Sequence, residues 1–200
     1  MGRVRLGVLG GTFDPLHYGH LALARAAVEH YGLSRLVIVP AGEPWQKSGW
    51  RISAASERLE MVELAVASQQ GFEVSPLEVN RCGPSYTVDT LAALADLHPG
   101  AELLLVLGAD VLASFLHWYR PRRILELAQI VAARRPTFEG VEALGDVATQ
   151  LGSRLSWLPM PPVDISSTDI RRRVVAGRTI KGLVPPAVEE FIRQRSLYKM

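Results

Sequence analysis

Residues 6–20, LGVLGGTFDPLHYGH, constrain this chain more than any other stretch. An apolar run of Val4, Leu6, Val8 and Leu9 breaks at Gly10-Gly11 and passes through Thr12, Phe13 and Asp14-Pro15. Apolar residues then resume at helical spacing over 21–28, so the stretch reads as a strand, a tight loop and a helix. An α/β protein places its ligand at such a junction. Gly10 and Gly11 lack a Cβ, so their backbone is free to take positive φ and to bring N–H groups close to a ligand. His17 and His20 stand three apart and share a face if 16–21 is helical, at a helix start whose free N–H groups and dipole favour an anion. Two imidazoles there would donate hydrogen bonds to phosphate oxygens without burying a fixed charge. The expected ligand carries phosphates. A zinc site is another reading of the histidine pair, but the chain has one cysteine and no third ligand close by.

Length and composition bound the rest. The 200 residues, 48% of them hydrophobic, suit one domain spanning 1–200 with a full core. No apolar run approaches the ~20 residues of a membrane span, and the first residues lack a signal peptide's apolar stretch. With Cys82 the single cysteine, no intramolecular disulfide forms, and a cytoplasmic setting is expected. A net charge of +2 calls for neither nucleic acid nor a membrane surface. Arginine dominates the basic set and suits two-point phosphate contacts.

The segments that follow alternate. Residues 21–31 form a helix that stops at Gly32, and the β-branched run 36–39 reads as a buried parallel strand closing a right-handed βαβ unit. A loop over 41–53 leads to an amphipathic helix over 54–68, with Ser53 or Ser56 as its cap and Arg58 on a solvated face. Residues 73–79 read as an edge strand weakened by Pro76. Gly83-Pro84-Ser85 turns into a helix over 88–97, capped by Ser85 or Thr87, whose start would bind an anionic group through Tyr86, Thr87 and free N–H groups. Strands are expected at 102–107, 130–133 and 155–158, and Gly108-Ala109-Asp110 falls at a carboxyl edge, where ligands bind. Over 164–171, DISSTDIR offers Ser167 or Thr168 as cap of a helix over 169–176, so that hydroxyls, N–H groups and the Arg171 guanidinium converge at a second helix start. A last helix runs from the prolines after Val184 to Arg195.

Taken whole, GGTFDPLHYGH resembles the signature of the nucleotidyltransferase superfamily with the HxGH-type motif. The strings GPSYTVDTL, GAD followed by Trp118, and ISSTDIR resemble its nicotinate mononucleotide adenylyltransferase branch. Matching segments run from Gly7 to Tyr198. The resemblance implies a single-domain α/β fold, a Rossmann-like doubly wound parallel sheet with helices on both faces, with a C-terminal helical part at about 165–200 packed on it. It implies ATP contacts at Gly10, Gly11, Thr12, Phe13, His17, His20, Gly108, Asp110, Arg135, Ser167, Thr168 and Arg171. Contacts to the acceptor nucleotide fall at Thr12, Lys47, Tyr86, Thr87 and Trp118, the last near the pyridine ring. PAGEPWQKSG departs from the family's proline-rich stretch: Lys47 and Pro44 match, but Trp45 and Gln46 stand where proline and histidine are usual.

The activity implied is transfer of AMP from ATP to nicotinate mononucleotide, with Mg²⁺ accompanying ATP and no protein metal site. His17, His20, Lys47 and Arg171 are the candidate catalytic residues, and a homo-oligomer is compatible with the sequence. The nucleophile is a phosphate already ionised at neutral pH and needs no base, and no covalent nucleophile is suggested. The rivals are transfer to nicotinamide mononucleotide or phosphopantetheine, and a nucleotide sensor without turnover.

Overall fold

The computed structural model describes residues 4–47, 52–133, 141–161 and 163–199. Its centre is made by four strands whose every side chain is apolar or absent in the middle: β1 (Arg5–Gly11), β2 (Arg35–Pro40), β4 (Glu102–Gly108) and β5 (Ala128–Ala133). Such runs are buried on both faces, as parallel sheets require. Leu6, Val8, Val37, Val39, Leu103, Leu105, Ile130 and Ala132 turn to one face. Leu9, Leu36, Ile38, Leu104, Val106 and Val131 turn to the other. The short strands β3 (Phe72–Val74) and β6 (Leu155–Leu158) complete a six-stranded parallel sheet of order β3-β2-β1-β4-β5-β6. The expected doubly wound sheet is therefore present.

Helices cover both faces. The first face carries α1 (Tyr18–Tyr31), α2 (Ala55–Val66), α7 (Ser167–Val175) and α8 (Pro186–Gln194). The second carries α3 (Thr87–Leu97), α4 (Ala109–Leu112), α5 (Pro121–Leu127) and α6 (Val141–Leu151). Helix α1 ends at Gly32, left-handed at φ 58°, as its sequence predicts. The edge strand is shorter than the 73–79 expected: it stops at Val74, before the Ser75-Pro76 pair.

Strand register opens the site. Pairing between β1 and β4 ends at Val8 and Leu105, whereas β1–β2 pairing continues to Gly11 and Pro40 and β4–β5 pairing to Gly108 and Ala133. The two central strands therefore part at their carboxyl ends, where the strand order reverses and open α/β sheets bind ligands. At the opposite ends they are drawn together by the Arg5 Nε–Glu102 Oε2 ion pair at 2.9 Å.

Candidate active site

The loop leaving β1 turns differently from its sequence-based expectation. Gly10 and Gly11 remain extended because they still pair with Val39 and Pro40, and the left-handed residue is Phe13, at φ 50°. Gly11 is needed for space: a Cβ there would lie 2.9 Å from the Phe13 ring. At Gly10, which is exposed, nothing lies within 4 Å of that position, so the backbone is open to a ligand.

His17 is the N-cap of α1 and His20 its third residue. Their rings stack at 3.7 Å with 26° between planes, and Phe13 meets His20 edge-on at 5.0 Å. The His17 N–H donates to His20 Nδ1 at 3.3 Å, which in the neutral ring puts the His20 proton on Nε2. His17 is buried and His20 half-buried. Gly19 allows this arrangement, since a Cβ there would lie 3.0 Å from His17 Nδ1.

The second helix start meets the same loop. Ser166, rather than Ser167 or Thr168, caps α7 by accepting from the Asp169 N–H at 3.1 Å. The Ser167 hydroxyl is drawn off to donate to the Pro15 carbonyl at 2.9 Å, and Arg171 Nη1 donates to the Asp14 carbonyl at 2.7 Å. Arg171 Nη2 also reaches Thr168 Oγ1 at 3.3 Å. The Asp14 carboxylate, 2% exposed, accepts from the Tyr198 hydroxyl at 2.7 Å and from the Ser53 N–H at 3.2 Å. Burial, reinforced by the Asp14 charge, pushes the Tyr198 phenol far above its ordinary value, so it stays a donor.

Arg58 corrects the sequence reading. It is fully buried, not solvated, because its guanidinium meets backbone carbonyls of three separate segments: Nε donates to Ser53, Nη1 to Thr12 and Ala41, and Nη2 to Gly42, at 2.5–3.0 Å. Neither Ser53 nor Ser56 caps α2; its N-cap is Ala54, whose N–H donates to Glu57 Oε2 at 3.1 Å. Lys47 ends a 3-10 turn, Trp45–Lys47. The Lys47 side chain and Arg135 lie outside the described residues.

Across the crevice, Gly108 precedes α4, and Asp110 stands exposed in its first turn. Tyr86 is the N-cap of α3, and neither Ser85 nor Thr87 caps it through a side chain. Ser85 Oγ instead accepts from the N–H groups of Gly42 and Glu43. The Tyr86 ring lies 4.4 Å from Tyr119 and 6.2 Å from Trp45, forming an aromatic wall at the carboxyl edge. Trp118 is half-buried, donates from Nε1 to Ser114 Oγ at 3.2 Å, and packs on Phe115. Sequence reasoning missed Tyr119, Trp45 and Tyr198. Arg58 was read as solvated because its partners are scattered along the chain.

The cytidylyltransferase-like family model matches residues 8–173. The chain is 41% identical over 197 residues to a Saccharopolyspora erythraea protein named "probable nicotinate-nucleotide adenylyltransferase", covering 98% of this chain and 91% of that one. A Desulfitobacterium hafniense protein of the same name is 40% identical over 199 residues, covering 98% and 96%. In fold, the chain is similar to the Plasmodium falciparum nicotinic acid mononucleotide adenylyltransferase complexed with NaAD. There the TM-score is 0.82 at 18% identity, covering 98% of this chain and 97% of that one.

Proposed function

Since the chain belongs to the nicotinate-nucleotide adenylyltransferase family within the cytidylyltransferase-like proteins, we infer that it transfers the adenylyl group of ATP to nicotinate mononucleotide. Pyrophosphate leaves, and nicotinate adenine dinucleotide forms. The observation that carries this reading is the stacked His17–His20 pair at a helix start, beside an open glycine and at the parting of β1 and β4.

The acceptor phosphate is ionised at neutral pH, so the protein need only align it in line with the α-phosphorus and neutralise charge as the P–O bond to pyrophosphate breaks. His20 Nε2 and the Gly19 N–H at the start of α1 would hold the α-phosphate, with His17 fixing the ring of His20. Arg171, next to the Asp14 carbonyl, would meet the β- and γ-phosphates together with the Thr168 hydroxyl and the first N–H groups of α7, among them that of Ser167, whose hydroxyl is held by Pro15. Lys47 is assigned to the same charge. Gly10, Gly11, Thr12 and Phe13 would line the path of the phosphates, Gly108 and Asp110 the nucleoside, and Tyr86, Thr87 and Trp118 the pyridine nucleotide. We assign Mg²⁺ to the ATP phosphates, where it would offset their charge. The described residues do not build a cage for it, since no group of three or more His, Cys, Asp or Glu could hold a metal ion. No step above depends on it. No helix among the described residues is long and apolar enough to cross a membrane, which agrees with the cytoplasmic setting we assign.

The deciding experiment measures pyrophosphate release with ATP and each of three acceptors: nicotinate mononucleotide, nicotinamide mononucleotide and phosphopantetheine. The first should be fastest by kcat/KM; a faster rate with either of the others overturns the assignment. His20→Ala should lose about 100- to 1000-fold in kcat with little change in Tm.

A further inference from the structure

Ser85 lies outside the groups that would touch either substrate, yet both acceptor sites of its hydroxyl are filled. A serine hydroxyl offers one donor and two acceptor sites. Here Oγ accepts from the Gly42 N–H at 2.9 Å and the Glu43 N–H at 3.2 Å, and the hydroxyl favours the charged form of the Glu78 carboxylate behind it. The Ser85 N–H donates back to the Glu43 carbonyl at 2.9 Å, and Glu43 bridges Pro84 in parallel fashion. One residue thus fastens the loop leaving β2 to the loop entering α3.

Glu78 is the anchor behind it. It is 7% exposed, and its Oε1 accepts from the Thr90 hydroxyl on α3 at 2.5 Å. Its backbone is equally fixed, since a Cβ on Gly42 would come within 2.1 Å of the Glu78 carbonyl oxygen. The two joined loops carry Trp45 and Tyr86, the first two rings of the aromatic wall. Tyr86 is also the N-cap that orients the first N–H groups of α3.

We propose that Ser85, held by Glu78, is a positioning residue that sets recognition of the acceptor nucleotide by fixing the separation of these two loops. The proposal rests on the reading of Tyr86 and Thr87 as acceptor contacts. Apart from Lys47, the ATP contacts lie on other loops, so the acceptor should sense the clasp far more than ATP does. Freeing Ser85 removes two cross-loop contacts made by one hydroxyl while leaving His17, His20 and Arg171 untouched.

The experiment is steady-state kinetics with nicotinate mononucleotide and ATP varied in turn, for wild type, Ser85→Ala, Ser85→Thr, Glu78→Leu and the double variant Ser85→Ala/Glu78→Leu, with Tm as the folding check. Ser85→Ala should raise KM for the acceptor about tenfold or more while KM for ATP stays within about twofold. Ser85→Thr, which keeps Oγ and withstands any folding loss seen in the alanine variant, should remain near wild type. Because the two residues act as one unit, the double variant should be no worse than the worse single variant. Equal shifts in both KM values, an unchanged acceptor KM, a threonine variant that behaves like alanine, or multiplying losses in the double variant would each overturn the clasp. A wild type that fails to turn over nicotinate mononucleotide overturns the functional reading and the clasp together, whereas normal wild-type turnover with any of those four results removes only the clasp.

Discussion

Arg58 carries a guanidinium into the first core layer with no carboxylate of the described residues bonded to it. Burial lowers its pKa from the ordinary value, and the nearby charge of Asp14 opposes that shift. What makes the position tolerable is geometry: the planar fork meets four backbone carbonyl oxygens, tying β1, the exit of β2 and the start of α2 together. Arg58→Ala should therefore cost about 3–5 kcal/mol in urea unfolding, the range for stripping a partner from buried polar groups. Arg58→Lys should recover only part of it, since three donors on one nitrogen cannot span these carbonyls. A loss under about 1 kcal/mol for alanine would refute the bracing role. Glu78 permits a pH test. Burial raises its carboxyl above the ordinary 4.5, against the hydrogen bonds from Thr90 and Ser85. A carboxyl raised in the folded state binds its proton more tightly there than in the unfolded chain. Its contribution to stability is present below the ordinary value and lost as pH rises through the raised one. Glu78→Gln, which does not titrate, should gain stability relative to wild type as pH rises from the acid range to neutrality; a constant difference in unfolding free energy across that window excludes the shift. Neither residue's burial was legible in the sequence, because apolar periodicity shows which side of a helix is greasy and not which distant carbonyls wait beneath it.

Helix boundaries were read closely, and their N-caps were not. Residues 166–168 present three hydroxyls in a row, and all can cap by type. The fold selects Ser166 because Ser167 is engaged by the Pro15 carbonyl. At α3 the same competition takes Ser85 away from the helix and gives it to the loop after β2. In both places a tertiary partner outbids the local one, and no reading of neighbouring residues reveals it. For α7 the consequence is measurable: Ser166→Ala should cost about 1 kcal/mol. It should also weaken ATP binding, since this helix start presents Arg171, and a variant with unchanged stability would remove Ser166 as the cap.

At the scale of the molecule, the parallel sheet was legible because its central strands are unbroken apolar runs between helices that end at glycine or proline signals. The doubly wound class was accessible through the resemblance, whereas the strand order and the parting of β1 and β4 follow from pairing that only coordinates supply. The closure of the chain on itself was invisible beforehand. Tyr198, 184 residues from Asp14 in sequence, lies in a turn after α8 and donates to its carboxylate. Hydrogen bonds to charged groups contribute about 1.5–3 kcal/mol, so Tyr198→Phe should lose that amount while keeping the ring packed against the first core cluster. Thermal unfolding checks it, and an unchanged Tm would show that the hydroxyl contributes nothing.

That closure also dictates when activity can arise during synthesis. A nascent chain displays both histidines early, but the groups that grip Asp14, the Arg171 guanidinium and the Tyr198 hydroxyl, follow it by 157 and 184 residues. Until they emerge, the loop after β1 is without its brace, and the nucleotide site waits on helices translated long after its histidines.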